Sequence, residues 1–247
     1  MRFVNRHAKV ITGGGYCLSA ALPHFSVLSD IIDQLNAAGG DVAVLFLSYT
    51  LAPKASYPHQ LSQGVELLRY TLQNLGRKPS DLVLCGDSAG GNLALGVLSH
   101  LSHPHPSIPP LELSEPLRAA ILIAPWVSFD TTAESFRRNQ YKDCIGPASL
   151  IPWSKAFMGR APADNYNQPI KAPVDWWKDL KVEEVLILAG AEEVLVDYVK
   201  EVARKIEVSL GSCGGGDAVL MLDSLCIQRP PPSLSLENLT TLLSSIL

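Results

Sequence analysis

The chain has 247 residues, of which 47% are hydrophobic and 18% charged, a composition typical of a globular protein rather than a disordered one. Its formal net charge is −4, which excludes a strongly basic nucleic-acid-binding protein and gives no reason to expect a polybasic membrane contact. No apolar run reaches the length of about 18 residues that a membrane-spanning helix needs.

The first residues and the cysteines predict a protein of a reducing compartment. Residues 1–7 lack the uninterrupted apolar core of a signal peptide, so we predict a cytoplasmic location. The cysteines are odd in number, widely spaced and without a CxxC pair, which favours free thiols over a disulfide framework or a structural zinc site. They are Cys17, Cys85, Cys144, Cys213 and Cys226.

Apolar runs bounded by turn residues alternate with stretches of helical periodicity. Strands are predicted at residues 8–11, 42–49, 81–85, 119–124, 185–189 and 218–222. Helices are predicted at residues 59–75, 89–101 and 195–207. This alternation predicts a single α/β domain over residues 1–247, with a mostly parallel sheet covered by helices on both faces. In such sheets the chemistry lies at the carboxyl ends of the strands.

Two segments interrupt the alternation. Residues 102–117 are rich in proline and are predicted to form a surface connection. Residues 128–180 contain several aromatic residues and five prolines but no clear strand, which predicts a cap-like insertion over the sheet. Its aromatic residues either line a substrate pocket or pack the insertion onto the sheet, and the sequence favours neither. They are Trp153, Phe157, Tyr166, Trp176 and Trp177.

The segment Gly86-Asp87-Ser88-Ala89-Gly90 fits the pattern G-x-S-x-G between a predicted strand and a predicted helix. A serine on such a sharp turn takes a strained backbone conformation, and the flanking glycines let the strand and the helix approach each other. The serine oxygen then stands free above the sheet edge, at a helix N-terminus that favours negative charge. We therefore predict Ser88 as a catalytic nucleophile, against the alternative of a glycine-rich turn with an incidental serine.

A second glycine-rich segment, Thr12-Gly13-Gly14-Gly15-Tyr16, follows the first predicted strand. Consecutive glycines allow several backbone N–H groups to turn toward one point, as an oxyanion hole requires. We predict that the amides of Gly13, Gly14 and Ala89 form this hole. Taken alone, the segment also fits a flexible loop or a phosphate-binding turn.

Together these motifs resemble the hormone-sensitive-lipase-like branch of the α/β-hydrolases. The resemblance rests on Gly13–Tyr16, on Tyr49-Thr50-Leu51-Ala52-Pro53 and on Gly86–Asn92, which occur in the order of that family. It covers roughly residues 8–210, and the sequence of the motifs is most similar to fungal members of the family. It implies an α/β-hydrolase core and hydrolysis of small-molecule acyl esters through an acyl-serine, with no metal and no organic cofactor.

The resemblance also implies a catalytic acid after the next-to-last strand. In the segment Glu193-Val194-Leu195-Val196-Asp197, Glu193 matches the acid of the family, and Glu192 is the fallback. A glutamate suits this role because the acid only orients a histidine and stabilises its charge. The other interpretation is an acidic first turn of the helix that follows.

The histidine of a Ser-acid-His triad has no counterpart in this sequence. In this fold the order along the chain is serine, acid, histidine, yet no histidine follows Glu193. The existing histidines are poor substitutes by position, although His24 follows the glycine loop and is near enough in sequence to approach the site. All six lie in the first 105 residues: His7, His24, His59, His100, His103 and His105.

Two further departures from the family accompany the missing histidine. Thr12 stands where the family has a histidine before the glycines, and the strands that normally precede the glycine loop are absent. Residues 211–247 form an atypical tail. We therefore expect an α/β-hydrolase truncated at its N-terminus, from a shortened or altered gene product. Its function is predicted as a serine carboxylesterase or, alternatively, as a catalytically impaired hydrolase-like protein that binds a ligand or a partner.

Overall fold

A computed structural model shows the fold and describes residues 6–11, 13–211 and 218–223. Six strands form one sheet in the order β2-β1-β3-β4-β5-β6, and every neighbouring pair is parallel. The strands are β1 Arg6–Ile11, β2 Val42–Leu47, β3 Leu82–Asp87, β4 Leu117–Ile123, β5 Val182–Gly190 and β6 Ala218–Asp223. The predicted α/β fold with a parallel sheet is confirmed.

Six α-helices lie in the described part of the chain. They are α1 Leu22–Ala37, α2 His59–Gln73, α3 Ala89–Ser102, α4 Glu134–Arg138, α5 Pro147–Met158 and α6 Val196–Gly211. The three predicted helices correspond to α2, α3 and α6. Helix α1 was not predicted, because several of its apolar side chains, including Leu22 and Phe25, are exposed and blur the helical pattern.

The sheet is buried on both faces, which explains the continuous apolar runs of its strands. Along β5, Val185 and Ile187 join the larger core, which also receives α2, α3 and α6. The alternate residues Leu186 and Leu188 join a smaller core on the other face, to which α1 contributes Leu35. Helices on both faces leave the strand ends as the place where loops can build a site.

The predicted surface connection between α3 and β4 is wrong in one respect, because part of it is buried. Ile108 and Leu111 belong to the larger core, and His105 is also buried. The backbone N–H of His105 donates to Nδ1 of His100 at 3.0 Å. The prolines suggested a surface loop, but the apolar side chains between them pack inward and lower the free energy of the folded state.

Residues 128–180 contain no strand, as predicted, and carry α4, α5 and two short 3-10 segments. Most of its aromatic side chains pack against the rest of the domain. The Phe157 ring stacks on Tyr16 with centroids 3.7 Å apart, and the Trp176 ring stacks on His103 at 3.9 Å. Trp177 is completely buried. The packing interpretation therefore holds for these three aromatic residues.

The described residues also bear on membrane-spanning helices and on the state of the cysteines. Within them, no helix combines the length and the hydrophobicity that crossing a membrane requires. Cys17, Cys85 and Cys144 are free thiols, whereas Cys213 and Cys226 lie outside the described residues.

Asn92, in the first turn of α3, joins three separate parts of the domain. Its Oδ1 accepts a hydrogen bond from the Tyr16 hydroxyl at 2.6 Å. Its Nδ2 donates to the carbonyl oxygens of Trp126 at 2.8 Å and Asn167 at 2.9 Å. The side chain is buried, so each of these bonds is made away from water, where a lost partner is costly.

We expect Asn92→Ala to destabilise the domain by about 3 kcal/mol, because it leaves buried polar groups of three segments without their partner. The measurement is urea unfolding followed by circular dichroism. Asn74→Ala is the matched control, since Asn74 is exposed at the end of α2, and it should cost less than about 0.5 kcal/mol. Equal stability of the two variants would contradict this role of Asn92.

Candidate active site

The predicted nucleophile, Ser88, lies on a sharp turn between β3 and α3. Its backbone angles are φ 50° and ψ −116°, a conformation that non-glycine residues rarely adopt. The turn is held by a bond from Ser88 N–H to the Ile123 carbonyl at 2.8 Å and one from Trp126 N–H to the Ser88 carbonyl at 2.9 Å. A side chain at Gly86 would collide with the Gly90 carbonyl, so the motif glycine is required by the close approach of strand and helix.

The position of Ser88 leaves its hydroxyl available. Ser88 directly precedes α3, and its hydroxyl makes no capping hydrogen bond to that helix. The amide of Ala89, the first residue of α3, lies at the helix end that carries partial positive charge. A negative charge that develops on or beside the Ser88 oxygen would therefore meet a favourable field.

The glycine loop follows β1, next to β3 in the sheet. The N–H groups of Cys17 and Leu18 both donate to the Gly14 carbonyl at 2.9 Å and close a tight turn. Gly14 and Gly15 have φ values of 105° and 56°, which glycine adopts without steric penalty. The loop is a compact turn at the same edge of the sheet as Ser88.

The structure corrects one of the predicted oxyanion donors. The Gly13 N–H donates to Oδ1 of Asp87 at 2.9 Å, so in this arrangement it is not available to an oxyanion. Asp87 directly precedes Ser88, and its carboxylate is a strong acceptor close to the loop. The amides of Gly14 and Ala89 remain as the predicted donors.

The two candidate acids occupy different environments at the carboxyl end of β5. Glu193 is half-buried, and its Oε1 accepts a hydrogen bond from Gly190 N–H at 3.0 Å. Glu192 is exposed and pairs with Lys142 at 2.6 Å. Glu193 therefore has the fixed orientation that an acid in a triad needs, and Glu192 does not.

The charge on Glu193 is disfavoured by its surroundings. Burial raises the pKa of Glu193 to about 7, and the Asp143 carboxylate adds to the rise, whereas the Gly190 N–H acts in the opposite direction. Asp143 itself accepts the Val194 N–H at 2.7 Å and so stays close to this turn. An imidazolium beside Glu193 would stabilise the carboxylate and lower its pKa.

His24 lies beside Asp87, the residue before the predicted nucleophile. Its Nε2 is 3.8 Å from Oδ2 of Asp87. Its Nδ1 lies 3.0 Å from the Ala21 nitrogen and 3.2 Å from the Ala21 carbonyl oxygen, so it meets the backbone at the start of α1. The distance from Nε2 to Asp87 is that of an ion pair and exceeds a hydrogen bond.

The remaining histidines with described side chains have structural surroundings. His100 of α3 and His105 of the connection between α3 and β4 are buried, and His103 stacks on Trp176. His59 is exposed at the start of α2. The segment where the family places its histidine follows β6, and residues 224–247 lie outside the described residues; their sequence contains no histidine.

Sequence reasoning missed Asp87 and Asn92 as members of the site, although both lie in the matched motif. Trp153 is one of the aromatic residues that the sequence analysis names in the insertion. Its ring lies directly on Gly15, and any side chain at position 15 would collide with this ring. Trp153 is only half-buried, so it both covers the glycine loop and faces outward. Among the described residues no group of three or more His, Cys, Asp or Glu side chains is placed to hold a metal ion.

The parallel sheet with a strained serine turn after β3 defines the α/β-hydrolase class. The family model described as alpha/beta hydrolase fold matches residues 10–213. The chain belongs to this family.

Curated relatives and solved structures agree with this assignment. An esterase of Acinetobacter venetianus is 28% identical over 200 residues, which cover 80% of this chain and 60% of the relative. Steryl acetyl hydrolase 1 of Saccharomyces cerevisiae is 27% identical over 216 residues, 81% of this chain and 48% of the relative. The chain thus spans about half the length of these curated relatives.

A crystal structure of an esterase from the bacterial hormone-sensitive lipase family superimposes with a TM-score of 0.76 and 25% identity. The superposition covers 98% of this chain and 74% of that one. The similarity confirms the fold class predicted from the sequence and its likeness to this esterase family.

We expect Glu193 to make the stability of the domain fall as the pH rises from about 4.5 through about 7. The pKa of Glu193 in the folded state is raised to about 7, so folding favours the protonated form and this stabilisation is lost on ionisation. Glu193→Gln keeps an acceptor for Gly190 N–H without the charge. It should therefore gain on the order of 1–3 kcal/mol over the wild type at pH 8, and much less at pH 4.5.

The measurement is urea unfolding of both proteins at the two pH values. Glu192→Gln is the matched control, because Glu192 is exposed and paired with Lys142; its effect should stay below about 0.5 kcal/mol at either pH. A Glu193→Gln variant whose advantage does not grow with pH would show that the carboxyl is not buried as described.

Proposed function

We propose that this chain is a serine carboxylesterase for small to medium acyl esters, with Ser88 as its nucleophile. The single observation that carries the proposal is the strained turn of Ser88 between β3 and α3, which holds the hydroxyl above the sheet edge. The names of the relatives, an esterase and a steryl acetyl hydrolase, favour an ester with a short acyl group.

In the proposed reaction the Ser88 oxygen attacks the ester carbonyl and forms a tetrahedral intermediate. The amides of Gly14, in the glycine loop, and of Ala89, at the start of α3, donate hydrogen bonds to its oxyanion. Collapse of the intermediate expels the alcohol and leaves an acyl group on Ser88. Water then hydrolyses this acyl-serine and regenerates the hydroxyl.

The proposed reaction needs a group that accepts the proton of the Ser88 hydroxyl. In a complete triad a histidine takes that proton, and the acid, here Glu193, orients the histidine. No histidine follows Glu193 in the sequence, and the described partner of His24 Nε2 is Oδ2 of Asp87, 3.8 Å away. With no histidine hydrogen-bonded to Ser88 among the described residues, we propose that its hydroxyl loses its proton to solvent and that turnover is far below that of a complete triad.

The same observation favours a second candidate function. An α/β-hydrolase with a formed oxyanion site but no base can bind an ester or another small apolar ligand without hydrolysing it. Trp153, which lies half-exposed on the glycine loop, offers an aromatic surface for such a ligand. The two functions differ in whether Ser88 forms a covalent bond.

A fluorophosphonate probe separates the two functions, because the rate at which it phosphonylates a serine reports how reactive that serine is. We expect slow labelling of the wild type at Ser88, located by peptide mass spectrometry, and loss of that labelling in Ser88→Ala. The same pair should differ in hydrolysis of p-nitrophenyl acetate, because only the wild type can form an acyl-serine, whereas the residual catalysis that oxyanion binding alone provides, about 10³–10⁴-fold over water, is common to both.

Ser102→Ala is the matched control, since Ser102 lies at the opposite end of α3 and its hydroxyl donates to the Asp179 carbonyl. Both activities should be unchanged in this variant. Absence of labelling at Ser88, with hydrolysis equal in the wild type and Ser88→Ala, would overturn the esterase proposal and favour the binding function.

A further inference from the structure

Asp87 connects the serine turn to the glycine loop. Its Oδ1 accepts the Gly13 N–H at 2.9 Å. A Cβ built on Gly13 would collide with Oδ2 of the same carboxylate and lie 3.1 Å from the Cβ of Ser88. The carboxylate, Gly13 and Ser88 therefore meet at one point, and Gly13 has no room for a side chain there.

His24, in the first turn of α1, lies next to the same carboxylate. His24 places Nε2 at 3.8 Å from Oδ2 of Asp87. Two reciprocal bonds fix this imidazole at the start of α1: Ala21 N–H donates to His24 Nδ1 at 3.0 Å, and His24 N–H donates to the Ala21 carbonyl at 3.0 Å. These bonds orient the imidazole that lies next to Asp87.

The setting of Asp87 is one in which an unpaired charge would be costly. Burial raises the pKa of Asp87, whereas the Gly13 N–H and His24 stabilise its ionised form. Tyr49 and Cys85 also face the carboxylate, and burial raises the pKa of both, so they stay neutral near pH 7. The charge on Asp87 is thus stabilised by the glycine loop, by His24 of α1 and by the backbone N–H of Asp87 itself.

We infer that Asp87, supported by His24, is a positioning residue that fixes the glycine loop at the distance from Ser88 that oxyanion binding needs. Gly13 then anchors the loop, and the next residue, Gly14, presents its amide to the oxyanion. The catalytic consequence rests on the proposed function, whereas the positioning of the loop does not. An oxyanion donor displaced from its position typically costs about 10²–10³ in rate.

The test uses the full chain and two measurements. Hydrogen exchange followed by mass spectrometry reports on the peptide that contains Gly13–Cys17, and it needs no catalysis. The reaction of Ser88 with a fluorophosphonate gives a binding constant and a rate constant for the covalent step. Exchange in α3 shows whether each variant is folded.

Asp87→Ala should raise exchange of the loop peptide at least tenfold and slow the covalent step at least tenfold, with little change in probe binding. Asp87→Asn keeps an acceptor for Gly13 N–H, so it should stay within threefold of the wild type in loop exchange. Asp30→Ala is the control for Asp87→Ala, because Asp30 is exposed on α1; it should change neither quantity.

His24→Ala is the second variant, and it tests the positioning of the glycine loop if Asp87→Ala fails to fold. It should raise exchange of the loop peptide about threefold over His59→Ala, whose histidine is exposed at the start of α2. Unchanged exchange of the loop in folded Asp87→Ala, or in His24→Ala where the first variant is unfolded, would overturn the inference. A wild type that never reacts with the probe, combined with loop opening in these variants, would refute the proposed function and support the positioning role.

Discussion

The backbone of Ser88 is the constraint on which the rest of the site depends. A residue held at φ 50° and ψ −116° costs on the order of 1–3 kcal/mol, which the surrounding structure must supply. The Ser88 N–H is bound to the end of β4, and its carbonyl receives the N–H groups of Asn92 and Trp126. Strand, helix and following loop therefore share one small turn, and none of them can shift without releasing it.

The network around Asn92 extends this constraint to the glycine loop and to the insertion. Tyr16 ends the glycine segment, and its hydroxyl donates to Asn92 on α3, while its ring stacks on Phe157 of α5. Asn92 in turn holds Asn167 of the insertion. The insertion is thus bonded to the same helix that carries the serine turn, and its packing and the geometry of the site are coupled.

Much of this arrangement follows from local sequence patterns. The strands are continuous apolar runs because both faces of the sheet are covered, and the G-x-S-x-G segment requires the close approach that the structure shows at Gly86. The glycine segment predicts that several amides gather near Ser88, and in the structure the Gly13 amide donates to Asp87. Spacing shows where amides gather, and it does not show which acceptor each amide meets.

Contacts between distant elements could not be predicted in the same way. His24 reaches Asp87 only because α1 starts where it does and turns its first residues toward β3. This contact depends on how α1 packs onto the sheet. The sequence did not predict α1, because its exposed leucine and phenylalanine residues obscure the helical pattern. The buried part of the proline-rich connection was missed for a related reason, since Ile108 and Leu111 become core residues through tertiary packing alone.

We propose that the serine turn and the glycine loop converge on a single oxygen. A crystal structure of the chain after reaction with diethyl p-nitrophenyl phosphate tests it most directly, because the phosphoryl oxygen takes the place of the oxyanion. We predict a phosphorus–oxygen bond to Ser88, with the phosphoryl oxygen within about 3.2 Å of the Gly14 and Ala89 nitrogens. A phosphoryl oxygen directed away from both amides, or an adduct on another residue, would contradict the account.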